Sequence, residues 1–109
     1  MHHVSVESGS DHTLRVALHG EIEAPHAEQI LSEIRAAIDQ FLPRAVRVDL
    51  SHVTFIDTAG MGTLVSAMSA AHKVGAEYAV TDASDIVQAR LRMIGLAGPL
   101  GMVEEGGPP

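Results

Sequence analysis

Residues 46–68 read VRVDLSHVTFIDTAGMGTLVSAM, and the fold turns on how this stretch is divided. Val46, Val48 and Leu50 recur at every second position, the pattern of a strand with one face in a core. Met61, Leu64, Val65 and Met68 then recur at helical spacing. The period changes around Asp57, Thr58, Ala59 and Gly60, so a strand is expected to run straight into a helix there. Thr58 falls where that helix begins. Its hydroxyl is expected either to cap the orphan N–H groups of the first turn or to act as a modification site. A phosphate on it would face those N–H groups and the positive end of the helix dipole, and would add roughly −1.5 to −2 of charge beside Asp57. Gly60 and Gly62 leave little side-chain bulk at the junction, which permits close approach by another backbone or a kinase cleft.

Outward from this stretch, Val4 to Ser8 and Thr13 to His19 read as short strands joined by the turn-forming Gly9-Ser10-Asp11-His12, an antiparallel hairpin. Pro25 suits the first turn of a helix whose apolar face is Ala27, Ile30, Leu31, Ile34, Ala37, Ile38 and Phe41, ended by Pro43. Gly75 marks the stop of the helix that starts near Thr58, ahead of a strand from Tyr78 to Thr81. Ser84 or Asp82 is expected to cap a last helix facing inward through Ile86, Val87, Leu91 and Ile94. Leu100 to Val103 is expected to add an edge segment, and 104–109 to form a disordered tail. Strands joined through helices are expected to be parallel, with right-handed crossovers. The fold class is therefore α/β: one domain over 4–103, a mixed and mostly parallel sheet with an N-terminal antiparallel hairpin and packed helices.

In an open α/β sheet functional loops gather at the carboxyl ends of the parallel strands. The Gly20 to Ala24 loop and Asp57-Thr58 are thus expected to emerge together and form an acidic partner surface with Glu21, Glu23 and Asp57. Each also has a plainer reading, with Gly20 as a simple turn and the two glutamates as solvated loop charges.

Val48-Asp49-Leu50-Ser51 followed by Val53-Thr54-Phe55-Ile56-Asp57-Thr58-Ala59-Gly60-Met61-Gly62 resembles the central motif of the STAS family, the bacterial anti-sigma factor antagonists and their relatives. Gly20-Glu21-Ile22-Glu23-Ala24 resembles the family's second signature, and the likeness extends from about Val4 to Met102. The resemblance implies a STAS-like fold and a binding module rather than an enzyme. It makes Thr58 the phosphoacceptor and Asp57 its acidic neighbour, although the commoner acceptor is Ser and many members carry Asp where Glu23 stands. It implies a surface made by Gly20, Glu21, Ile22, Glu23, Asp57, Thr58, Ala59, Gly60, Met61 and Gly62. The implied partners are an anti-sigma factor Ser/Thr kinase, bound while Thr58 is unmodified and released by phosphorylation, and a phosphatase. A second implied role is an unswitched scaffold subunit of a stressosome-like or lipid-transport ATPase complex.

Composition narrows the alternatives. The 109 residues suffice for one core, filled by aliphatic side chains and Met because only two Phe, one Tyr and no Trp are present. Seven Lys plus Arg against 14 Asp plus Glu give a net charge of −7, and the basic residues are dispersed, which disfavours nucleic acid. The absence of cysteine excludes a disulfide framework and a thiolate nucleophile. No apolar stretch reaches bilayer length and no leader pattern is visible, so a stand-alone cytoplasmic protein is expected. The seven histidines show no metal-binding spacing, and no metal or cofactor is expected. Asp57-Thr58 lacks the Gly that follows in aspartic proteases, and Gly60-Met61-Gly62-Thr63 lacks the Lys of a phosphate loop.

Overall fold

In the computed structural model, which describes residues 3–102, the chain runs β1 (Val4–Ser8), β2 (Thr13–Ile22), α1 (Ala24–Phe41), β3 (Ala45–Ile56), α2 (Thr58–Lys73), β4 (Glu77–Thr81) and α3 (Asp85–Met93). The described residues form one sheet of order β1-β2-β3-β4, with β1 antiparallel to β2 and the other pairs parallel. This is the mixed, mostly parallel sheet the sequence predicts. Leu14, Val16 and Leu18 of β2 and Val46, Val48 and Leu50 of β3 point the same way and have no exposed surface. Two crossovers advancing in one direction place α1 and α2 on that face, where they pack on each other. Ile30, Ile34 and Ile38 of α1 and Leu64, Ala67 and Ala71 of α2 complete the core.

The local chemistry explains most boundaries. The β1–β2 turn closes through Gly9 N–H donating to the Thr13 carbonyl at 3.0 Å and Thr13 N–H to the Asp11 carboxylate at 3.1 Å. Helix α1 stops where Leu42 turns left-handed at φ 43 and Pro43 follows. Gly75, at φ +77, turns the chain from α2 toward β4. Ser84 is the cap of α3, accepting from Val87 N–H at 3.3 Å.

Four expectations change. Strand β2 does not end at His19: register shifts at Ala17/His19 and Gly20/Glu21 absorb the left-handed Gly20, and Ile22 again points into the core. Phe41 is exposed at the end of α1. Helix α3 buries Val87, Gln88 and Leu91, while Ile86 and Ile94 face out. Gln88 takes the inward place because its amide donates to the Ala83 carbonyl at 2.9 Å. Finally, Leu100 to Met102 is no strand. It is a turn whose Leu100 carbonyl accepts from Val80 N–H at 3.2 Å, and Val103 with the expected tail lies outside the described residues.

Candidate functional site

The ends of β2 and β3 meet through one side chain. Asp57 follows β3 in extended backbone and is the N-cap of α2, its Oδ1 accepting from Gly60 N–H at 2.8 Å. Its Oδ2 accepts from Ala24 N–H, the first residue of α1, at 3.0 Å. Asp57 N–H in turn donates to the Ile22 carbonyl at 3.3 Å. Glu23, which occupies the N-cap position of α1, makes no capping bond of its own. A single carboxylate therefore caps two helices, which corrects the expectation that Thr58 is the cap. Thr58 is the first residue of α2, exposed, and its hydroxyl makes no hydrogen bond to a described residue.

Gly60 is what lets α2 start so close to the sheet. A Cβ there would overlap the Ile22 carbonyl oxygen and stand 2.8 Å from Ile56 Cγ1. Gly62 meets the opposite condition, with nothing within 4 Å of a Cβ. It helps line a shallow groove of about 290 Å³ between α1 and α2, together with Ala24, Ala27, Glu28, Ala59, Thr63 and Ser66. Thr63, missed in the sequence, ties the two helices beneath that groove. Its buried hydroxyl donates to the Ala27 carbonyl at 3.1 Å, with the Ala59 carbonyl at 3.3 Å as a second acceptor.

Of the positions brought to this end by the sequence reading, Glu21, Thr58, Ala59 and Gly62 are exposed, and Gly20, Glu23 and Asp57 are half-buried. Ile22, Gly60 and Met61 are buried and support the surface from beneath. Glu21 lies within β2 rather than on a loop, directly beside Phe55. Four of the seven histidines that look scattered in sequence form two pairs near these strand ends. His3 stacks on His26 with ring centroids 4.2 Å apart, and His19 lies 5.4 Å from His52. No cluster of three or more potential metal ligands occurs among the described residues, and none of their helices is long and apolar enough to cross a membrane.

The hydrogen bond from Gly60 N–H, with that from Ala24 N–H, holds the Asp57 carboxyl below its ordinary pKa of 3.8 despite some desolvation. A carboxylate so engaged is a weak base and a strong cap. The stability it supplies is complete above that ordinary value and is lost as pH falls through the lower folded-state value. Asp57→Ala removes both acceptors, whereas Asp57→Asn keeps one side-chain oxygen and so serves one helix. Urea unfolding at pH 7 is expected to rank wild type above Asp57→Asn and Asp57→Ala lowest. In both variants the decline in stability below about pH 4 should be shallower than in wild type.

The family model described as "Mlab, STAS domain" matches residues 5–104. The anti-sigma factor antagonist SpoIIAA of Bacillus, 24% identical, superposes with a TM-score of 0.78 in its unphosphorylated form, covering 93% of this chain and 86% of that one. In its phosphorylated form the TM-score is 0.71, over 93% and 89% of the two chains. An anti-sigma factor antagonist from Mycobacterium paratuberculosis, 23% identical, gives 0.78 over 91% of this chain and 82% of its own.

Proposed function

This chain belongs to the STAS family, and on that premise we propose that it is an anti-sigma factor antagonist whose docking is switched at Thr58. In this reading the unmodified end of the domain binds an anti-sigma factor Ser/Thr kinase, the kinase phosphorylates Thr58 and the complex separates, and a phosphatase restores the docking form. The observation that carries the reading is the division of labour between adjacent residues. Asp57 does the capping, which leaves Thr58 exposed and its hydroxyl without a hydrogen bond to a described residue. A threonine retained as a cap would have its hydroxyl occupied by backbone.

The same division gives a phosphate its effect. Asp57 already holds the Gly60 N–H, so a phosphoryl group on Thr58 would stand beside a carboxylate with less of the helix terminus left to neutralise it. Its charge would then oppose a docked partner through repulsion and desolvation. The relative SpoIIAA has been solved in both phosphorylated and unphosphorylated forms, which agrees with a switch of this kind. A second reading is an unswitched scaffold subunit of a stressosome-like or lipid-transport ATPase complex. It uses the same exposed hydroxyl as a fixed contact.

Mass spectrometry of the protein isolated from its native cells with phosphatases inhibited separates the two. Phosphate on Thr58 together with a copurifying ATP-binding anti-sigma factor is the expected result. Thr58 persistently unmodified in a stable membrane or scaffold complex would overturn the switch and establish the second reading.

A further inference from the structure

Phe55 of β3 has a carboxylate beside it in the sheet and a guanidinium over its ring. Glu21 of β2 is its register partner, so the two side chains stand on the same face of the sheet, and Glu21 is exposed. Strand β4 pairs with β3 only as far as Asp49, α3 packs against β3, and the Arg90 guanidinium lies 4.8 Å from the Phe55 ring centroid. Among the described residues neither Glu21 nor Arg90 belongs to an ion pair. Ile86 and Met93 lie about one turn either side of Arg90 on the same stripe of α3, 66% and 82% exposed. Three neighbouring side chains of α3 thus combine a cation outside any ion pair among the described residues with exposed apolar surface.

We propose that this row of carboxylate, aromatic ring and guanidinium is a self-docking surface, and that its occupant is a second copy of this chain. Symmetry selects that occupant. A two-fold axis passing between Glu21 and Arg90 sets Glu21 of one copy against Arg90 of the other, and the reverse, so that two ion pairs form together. Ile86 and Met93 close over the pairs and exclude water, without which exposed pairs contribute little. A row of one charge sign would repel its own image. Glu21 also belongs to the docking end described above, so the dimer is read by mass alone, with no partner present.

Sedimentation equilibrium of the full chain over about 1–500 µM is the test, with dimerisation expected in the micromolar range. Glu21→Arg and Arg90→Glu should each weaken the dimer at least about tenfold, and the double variant, with the charges exchanged, should regain most of the loss. Met93→Ser leaves every charge in place and should also weaken it. Both charge positions are exposed, and circular dichroism confirms that the variants are folded. A wild type monomeric throughout, reversals without effect, or a double variant no tighter than either single one would each overturn the proposal.

Discussion

Gly60→Ala is expected to cost about 3 kcal/mol, whereas Gly62→Ala, two residues along the same helix, is expected to add about 0.5–1 kcal/mol. The substitution is the same and the surroundings decide the sign. At Gly60 the new methyl overlaps the Ile22 carbonyl oxygen and lies 3.0 Å from the Ile22 carbonyl carbon. That backbone is paired in the sheet, and its carbonyl also accepts from Asp57 N–H, so it cannot step aside as a side chain would. Relief requires α2 to lift from the sheet, which opens the contacts of Met61 and Leu64 with the core. At Gly62 a methyl meets open space, and alanine gains only from a less flexible unfolded chain. Urea unfolding of the two variants checks both signs. Equal effects would contradict the close approach of α2 to β2.

If the proposed switch operates, Thr58→Glu is expected to weaken capture of an anti-sigma factor kinase about a hundredfold, while Thr58→Ala binds within a few-fold of wild type and cannot be phosphorylated. The glutamate adds a second negative group beside Asp57, and Glu21 and Glu23 already make this end acidic. Placing another carboxylate in a docked interface costs several kcal/mol when its charge finds no cation. Alanine removes only a hydroxyl that makes no bond to a described residue, so the fold should not register the loss. Calorimetric titration with the kinase identified from native cells measures both. A Thr58→Glu protein that bound as tightly as wild type would end the switch reading.

The parts of the fold legible in the sequence were those governed by period. Alternating Val46, Val48 and Leu50 and the helical repeat from Met61 placed β3 and α2 correctly because both elements bury a single clean face. Helix α3 was misjudged for the opposite reason. Its inward face includes Gln88, and apolarity alone assigns that place to Ile86 or Ile94. The end of β2 was lost at Gly20, where a bulge let the strand resume after a residue that ordinarily signals a turn. At the candidate site, the meeting of the two signature stretches was readable from topology. Asp57 as cap was also within reach, since Asp is as good an N-cap as Thr and stands one residue earlier. That the same carboxylate reaches Ala24 could not be read, because it depends on two strand ends ending level with each other. Thr63 offered no signal beyond lying one helical turn from Ala59.

The bond from Ala24 to Asp57 joins residues 33 apart in the chain, and it makes the junction non-portable. A protein engineer who grafted 53–62 alone onto another strand–helix corner would carry over Thr58. The graft would leave behind the amide that occupies Asp57 Oδ2 and the Ile22 carbonyl that seats its N–H. The freed carboxylate would be able to turn toward Thr58, and the hydroxyl would lose the isolation that distinguishes it here. The smallest transferable unit is therefore two separated segments on neighbouring strands, 20–24 together with 53–62.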